Sequence, residues 1–277
     1  MAIGIAGAGR VAQALGRALH ERGVTVAWIA SRDRRHAEAA ARFIGSEAIS
    51  YEQLGQRAER ILIAVSDNAL TCVARILADS GMKRGEALHS CGSRGADALA
   101  ALARQGVSCG TLHPLQTIAS PEQGVASLPG STFAISGDAE AVAWAGDIVR
   151  LLEGHALRIR PDRAAIYHAA AVMASNYGTA LIGAAVELMG ASGIGEKEAL
   201  MALGPLVRTS AENALTLGPR LALSGPIQRG DSATVRRHLE ALRGASEETQ
   251  ALYRAAGRQA LRLTEHPSLE IEELLNG

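Results

Sequence analysis

Residues 3–12 read Ile-Gly-Ile-Ala-Gly-Ala-Gly-Arg-Val-Ala, and this stretch decides the fold. The apolar run 3–6 is typical of a buried strand, and G-x-G-x-x-A follows it directly over residues 7–12. The first glycine permits a tight turn, the second lets the backbone approach a pyrophosphate, and the small last residue lets the next helix pack closely. The stretch therefore predicts a strand–turn–helix unit that binds a dinucleotide at the helix start. The alternative is a glycine turn that serves packing alone.

The second predicted strand, 25–30, sets the cofactor preference. An NAD enzyme carries Asp or Glu at the end of this strand, whereas Ser31 takes that position here. Arg32 and Arg35 follow and can pair with a 2′-phosphate, so we expect NADP(H) to be the cofactor. The alternative is a solvated arginine-rich turn in which Asp33 is the N-cap of the next helix.

The ends of two later predicted strands, 61–65 and 86–89, are expected to border the cofactor, because ligands of open α/β sheets lie beyond the carboxyl ends of the strands. Asp67 is equally compatible with cofactor contact and with an N-cap. Cys91 is expected to be a small wall residue, and it is a nucleophile candidate only if a base lies nearby. The predicted cofactor-binding residues are Gly7, Ala8, Gly9, Arg10, Val11, Ser31, Arg32, Arg35, Val65, Ser66, Asp67, Ser90 and Cys91.

Strand and helix patterns alternate in the first part of the chain, which predicts a doubly wound parallel sheet. We expect strands over 3–6, 25–30, 61–65, 86–89, 107–112, 132–136 and 156–159, and helices over 10–21, 34–43, 69–78, 96–104 and 139–152. Beyond residue 160 the patterns are helical, at 162–189, 196–217, 232–243, 246–263 and 268–275. The sequence therefore predicts an α/β domain over 1–160 and an all-α domain over 161–277.

Composition excludes several classes of protein. The 28 basic and 28 acidic residues cancel, which argues against a nucleic-acid partner. No run of 18 apolar residues and no signal-peptide pattern is present, so we expect a soluble, cytoplasmic protein without a membrane span. The three cysteines and eight histidines lack zinc-ligand spacing, and no metal is expected. Only Lys83 and Lys197 are lysine.

Four residues are the candidate catalytic and substrate-binding groups. His113 follows a predicted strand and is a general acid or orienting group, or else a structural histidine. His168 and Asn176 lie on an alanine-rich helix, where a ligand or a neighbouring helix must satisfy their polar atoms. Arg229, within a Gly-Pro…Arg-Gly-Asp turn, can hold an anionic group of the substrate, while Asp231 is expected to cap the next helix.

Taken together, the chain resembles a bacterial family of Rossmann-like proteins with a helical C-terminal domain of unassigned function. The family is similar to pyrroline-5-carboxylate reductase, prephenate dehydrogenase and the deazaflavin-dependent NADP oxidoreductases. The resemblance implies an NADP-binding domain, a helical dimerisation domain and a cleft between them, hence a homodimer. The segments that carry it are Gly7–Ala12, Ala64–Asp67, His89–Gly92, His113–Thr117, Tyr167–Tyr177 and Gly225–Asp231.

One departure limits what the resemblance implies. In β-hydroxyacid dehydrogenases and ketopantoate reductases, a catalytic lysine lies about one turn before an asparagine on the helix after the Rossmann domain. Here Val172 stands four residues before Asn176 and His168 eight before it, and neither lysine lies on that helix. His168 or His113 would have to replace the lysine as proton donor.

The sequence thus predicts an NADP-dependent oxidoreductase that transfers hydride between the nicotinamide and a small anionic carbonyl or imine substrate. In this hypothesis His113 or His168 delivers the proton, Asn176 aligns the reacting group and Arg229 holds the anionic end. The alternative is a non-catalytic NADP-binding protein that senses redox state or acts as a scaffold.

Overall fold

A computed structural model describes residues 2–277, which divide into two compact units. The first unit extends to Ser175 and the second begins at Asn176. The sequence predicted the domain boundary at 160, directly after the last predicted strand. In the structure the division lies at 175, because the helix that follows this strand packs with the first unit.

The first unit contains an eight-stranded sheet in the order β3-β2-β1-β4-β5-β6-β7-β8. All neighbouring pairs are parallel except β6 with β7. The chain order reverses between β1 and β4, and this is the position where an open sheet binds its ligand. The strands are β1 (Ile3–Ala6), β2 (Val26–Ala30), β3 (Glu47–Ile49), β4 (Arg60–Ile63), β5 (Glu86–His89), β6 (Ser108–Pro114), β7 (Thr132–Gly137) and β8 (His155–Arg158).

Helices cover both faces of this sheet, because successive side chains of a strand point to opposite faces. In β4, for example, Leu62 joins one apolar core while Ile61 and Ile63 join the other. The helices of the unit are α1 (Arg10–Glu21), α2 (Arg34–Ile44), α3 (Tyr51–Arg57), α4 (Asp67–Asp79), α5 (Ala100–Ala103), α6 (Pro121–Ser127), α7 (Ala139–Leu151) and α8 (Ala164–Ala174).

The predicted α/β fold class is confirmed, with three local differences. The strand β3 was missed because it has only three residues and begins with an exposed glutamate. The short helices α3 and α6 were missed as well. The sheet is not wholly parallel, because β7 runs antiparallel to β6. Apolar runs indicate where strands lie and carry no information on their direction.

The second unit is helical, as predicted. The expected continuous helix 162–189 is interrupted at Ser175, whose backbone angles (φ −108°, ψ −71°) leave the ideal helical range. A small core binds the last helices to one another through Val235, Leu261, Ile271 and Leu275. The helices are α9 (Asn176–Ala191), α10 (Glu196–Leu217), α11 (Pro219–Ala222), α12 (Ser232–Ala241), α13 (Glu247–Leu261) and α14 (Leu269–Asn276).

The helices α9 and α10 carry apolar side chains that their own unit leaves exposed. Within the described residues, α9 has no buried residue and α10 has one, Ala199. One helical stretch, 161–191, is long and apolar enough to cross a membrane by length and composition, with a mean hydropathy of 1.3. A single such helix is weak support for a membrane span, and its apolar surface needs another explanation.

Candidate active site

The glycine turn after β1 has the geometry that a dinucleotide requires. Gly7 adopts a φ of +116°, and a Cβ placed there would collide with the carbonyl oxygen of Ala64, so this position needs glycine. A Cβ on Gly9 would meet no atom within 4 Å, which leaves open space beside the start of α1. Within residues 2–277 no side chain caps that helix, and its first N–H groups can therefore hold phosphate oxygens.

A cavity of about 790 Å³ extends from this turn along the carboxyl ends of β1, β2 and β4. Its volume lies within the range of cofactor and ligand pockets. Seven of the predicted cofactor residues line it: Gly7, Ala8, Gly9, Ser31, Arg32, Val65 and Ser66. The residues present thus fit a dinucleotide with its phosphates at the glycine turn.

The other predicted cofactor residues lie outside the lining of this cavity: Arg10, Val11, Arg35, Asp67, Ser90 and Cys91. The Arg10 guanidinium donates to the carbonyl oxygen of Ala119 at 3.0 Å. The Asp67 carboxylate accepts a hydrogen bond of 3.0 Å from the Ser93 hydroxyl, and Ser66 rather than Asp67 is the N-cap of α4. The side chains of Arg10 and Asp67 therefore have protein partners of their own.

The end of the cavity beside Arg32 is lined by two further side chains that the sequence analysis did not predict. Asp33 caps α2, as the alternative interpretation of this turn predicted, and accepts from the N–H groups of Arg35 and His36. His36 and Tyr51 line the cavity beside Arg32, whereas Arg35 does not. His36 lies in the first turn of α2, four residues after Arg32, and its position just after the predicted strand end is the signal that could have found it. Tyr51 gave no signal, because it lies on α3, which the patterns did not predict.

A cluster of three aromatic side chains lies at the carboxyl end of β6. His113 is the last residue but one of this strand, which continues to Pro114, and so does not follow the strand as predicted. The Nδ1 atom of His113 lies 2.9 Å from the hydroxyl oxygen of Tyr167 on α8. The rings of His113 and His168 meet edge to face, with their centroids 5.7 Å apart. The structure therefore brings two of the predicted catalytic residues together and adds Tyr167, which the sequence analysis included only as part of a resembling segment.

The electrostatics of this cluster favour its neutral forms. Burial, together with the neighbouring His168, lowers the pKa of His113 from 6.5 to about 4. Burial raises the pKa of Tyr167 to about 12. At neutral pH His113 is therefore an uncharged imidazole and Tyr167 keeps its hydroxyl proton.

Cys91 is a wall residue in this geometry. Its side chain is buried, its sulfur lies 3.3 Å from the Ser93 hydroxyl, and burial raises the pKa of the thiol. A raised pKa disfavours the thiolate, which is the nucleophilic form of cysteine. The arrangement therefore favours a packing role for Cys91 over a role as nucleophile.

The remaining candidates belong to the second unit. Asn176 begins α9, and Arg229 lies exposed in the turn before α12, so their roles stay predictions. Asp231 caps α12 as expected, accepting from the N–H and the hydroxyl of Thr234. In the first unit, the hydroxyl of Thr117 lies 2.9 Å from that of Ser175 and ties the loop after β6 to the end of α8.

Comparison with known protein families identifies two matching segments of the chain. Residues 1–114 match the model of a Rossmann-like domain, and residues 131–260 match the domain of unknown function DUF2520. The chain combines a Rossmann-like domain with a DUF2520 domain. No curated protein sequence matches it.

Solved structures of similar fold cover almost the whole chain. A Bacteroides fragilis protein with the provisional name of NADP oxidoreductase is 22% identical, with a TM-score of 0.79 over 94% of this chain and 97% of that one. An imine reductase of Streptomyces aurantiacus is 15% identical, with a TM-score of 0.71 over 99% of each chain. The pyrroline carboxylate reductase of Plasmodium falciparum, solved with NADP bound, is 12% identical, with a TM-score of 0.65 over 100% of this chain and 97% of that one. These TM-scores establish a shared fold.

Proposed function

We propose that the protein is an NADP-dependent oxidoreductase that reduces a small anionic imine or carbonyl compound. The observation that carries the proposal is the Tyr167–His113 pair, which lies at the same carboxyl edge of the sheet as the dinucleotide cavity. The structural neighbours that are named as NADP oxidoreductases or imine reductases support it through the common fold.

The chain's own residues would hold NADP(H) in a definite orientation. The N–H groups at the start of α1 receive the pyrophosphate, and Arg32 with His36 receives the 2′-phosphate. When bound, NADPH supplies a hydride to the substrate. The protein must supply the matching proton and an orientation for the substrate.

We assign the proton to the Tyr167 hydroxyl rather than to His113. A His113 with a pKa of about 4 carries no extra proton to give at neutral pH. In the tautomer with hydrogen on Nδ1, His113 donates to the Tyr167 oxygen and leaves the phenolic hydrogen free for the substrate. The same hydrogen bond stabilises the negative charge that remains on the Tyr167 oxygen after transfer. Asn176 and Arg229 are retained as candidate substrate-binding residues.

Turnover distinguishes this proposal from a non-catalytic NADP-binding protein. The purified chain is mixed with NADPH and a panel of cyclic imines, keto acids and aldehydes, and NADPH absorbance is followed. Substrate-dependent loss of absorbance supports the oxidoreductase. Tight NADPH binding without turnover across the panel would favour the sensor or scaffold.

We also propose that a second copy of the chain covers the apolar surface of α9–α11. Large apolar side chains are exposed there, among them Leu215 (89%), Leu221 (78%) and Met201 (70%). Monomeric proteins rarely expose apolar patches of more than a few hundred Å². A stable dimer needs about 800 Å² from each partner, and three helices carrying such side chains suit that requirement.

A second copy fits this surface better than a bilayer does. The Tyr167–His113 bond holds α8 against the sheet unit, which leaves the 16 residues of α9. Sixteen helical residues span roughly 24 Å, short of the roughly 30 Å hydrocarbon core. Ser175 and Asn176 would also place polar groups near the middle of the 161–191 stretch.

A further inference from the structure

A buried histidine braces the loop that follows β5. His89, the last residue of β5, is fully buried. The backbone N–H of Cys91 donates to its Nδ1 atom at 3.2 Å, and its Nε2 atom lies 2.9 Å from the carbonyl oxygen of Gly95. Because a backbone N–H can only donate, Nδ1 must carry the lone pair. The ring hydrogen is therefore on Nε2 and is donated to Gly95.

One imidazole thus ties both ends of the segment 91–95, which we name the brace loop. Gly92, in this loop, packs directly against the histidine cluster. A Cβ built on Gly92 would lie 2.6 Å from Cδ2 of His168 and 2.7 Å from Nε2 of His113. Real Cβ atoms do not approach other atoms so closely, so the Gly92 backbone fills the space beside the two rings.

We propose that His89 is a positioning residue that holds Gly92 against His113 and His168 through the brace loop and thereby fixes the geometry of the histidine pair. The proposal rests on the proposed function for its catalytic meaning, because it is the orientation of His113 that presents the Tyr167 hydroxyl to the substrate. The brace itself is a property of the free protein.

The environment of His113 shows what the brace loop controls. The ionisable groups around His113 are His168 and Tyr167 from α8, Asp67 from α4 and His89 from β5. The largest cause of the low pKa of His113 is its removal from water. A brace loop that swings away admits water to the ring, and the pKa of His113 then returns towards its ordinary value.

The two hydrogen bonds of His89 can be removed one at a time. In His89→Asn the amide oxygen can still accept from the Cys91 N–H, while the donor to Gly95 is lost. In His89→Gln the longer amide can still reach the Gly95 carbonyl, while the acceptor for Cys91 is lost. Ser136→Ala is the matched control, because it removes one buried hydrogen bond, to the Thr111 hydroxyl at 2.9 Å, from the same region of the sheet and leaves both His89 hydrogen bonds in place.

The test is an NMR titration of His113 in the cofactor-free protein, with unfolding free energies measured alongside. We expect both His89 variants to raise the His113 midpoint by one pH unit or more, while Ser136→Ala leaves it unchanged at a comparable loss of stability. Unchanged His113 midpoints in folded His89 variants would overturn the proposal. So would an equal shift in the control, since the effect would then be general loosening.

Gly92→Ala tests the same contact without touching His89. Gly92 has no left-handed φ, so alanine adds no backbone strain, and the three atoms nearest to its Cβ belong to the two rings. We expect the ring resonances of both His113 and His168 to move and the His113 midpoint to rise, even where the His89 variants fail to fold. An unchanged titration in Gly92→Ala would refute the brace. Neither experiment requires turnover, so the His89 proposal can be confirmed or refuted in a protein that lacks reductase activity. Failure of this proposal is therefore distinguishable from failure of the proposed function.

Discussion

The Nδ1 atom of His113 and the hydroxyl oxygen of Tyr167 lie 2.9 Å apart, with their rings nearly perpendicular. This bond joins the end of β6 to α8 through two residues that are 54 positions apart in the chain. It places a hydroxyl that keeps its proton beside an imidazole that stays neutral at pH 7. A related pair, His238 and Tyr253, occurs in the helical unit with the same 2.9 Å separation and serves as an internal control.

The two motif glycines should respond differently to alanine. Gly9→Ala places a methyl group in open space where a pyrophosphate would approach, so NADPH affinity should fall about tenfold or more at unchanged stability. Gly7→Ala must adopt a φ of +116° and collide with Ala64, which should cost roughly 1–3 kcal/mol of unfolding free energy. Calorimetric NADPH binding and denaturant unfolding check both. Equal affinity in Gly9→Ala and the wild type would contradict the phosphate site.

Alanine variants of Arg32 and Arg35 should differ in their effect on NADPH affinity. Arg32 lines the cavity and Arg35 does not, although the sequence predicted both. Arg32→Ala should weaken NADPH binding about 10- to 100-fold, the range for one lost hydrogen bond to a charged group, and should affect NADH much less. Arg35→Ala is the matched control and should change either affinity little. Equal losses of affinity for NADH and NADPH in Arg32→Ala would contradict a role for Arg32 in binding the 2′-phosphate.

Stability should depend on pH through His113. The native state binds a proton on this ring with a pKa of about 4, against 6.5 in the unfolded chain. The unfolded state therefore takes up the proton first, and stability that is fully present above pH 6.5 is lost as the pH falls towards 4. The upper limit of this loss is on the order of 3 kcal/mol. His113→Asn should flatten the unfolding free energy over this range, and an unaltered pH profile in that variant would count against a buried neutral His113.

The apolar surface of α9–α11 should hold two chains together. Light scattering and sedimentation should give twice the chain mass for the wild type. The double variant Leu206→Glu, Leu215→Glu should dissociate, because each carboxylate would otherwise be buried in the interface. Leu269→Glu, equally apolar and 75% exposed on α14, is the control and should leave the dimer intact. A monomeric wild type would refute the assembly.

The sequence predicts well what is local. The G-x-G-x-x-A turn, the strand β1 and the helix α1 follow from ten consecutive residues, and Asp33 and Asp231 cap the helices that they were expected to cap. Strand direction, as at β7, depends on how distant segments pair, and no periodic pattern encodes that. Ser175 interrupts the long helix for reasons that its neighbours in sequence do not reveal.

For the same reason, the candidate site was predicted only in part. His113 and His168 were each marked by their position at a strand end or on a polar helix stripe. Their partner Tyr167 became visible only when β6 and α8 were placed side by side. Burial lowers the pKa of His113, so this residue is not a charged proton donor at neutral pH. The sequence could not show this, because burial is a property of the folded chain.

The central claim is that Tyr167, held by His113, gives the proton in an NADPH-dependent reduction. Its most direct test is the rate of NADPH oxidation with a carboxylate-bearing cyclic imine for the wild type, Tyr167→Phe and the matched Tyr253→Phe. We expect Tyr167→Phe to lower kcat by about 10²- to 10³-fold while NADPH affinity is unchanged, and Tyr253→Phe to retain the wild-type rate. Wild-type turnover in Tyr167→Phe would contradict the account.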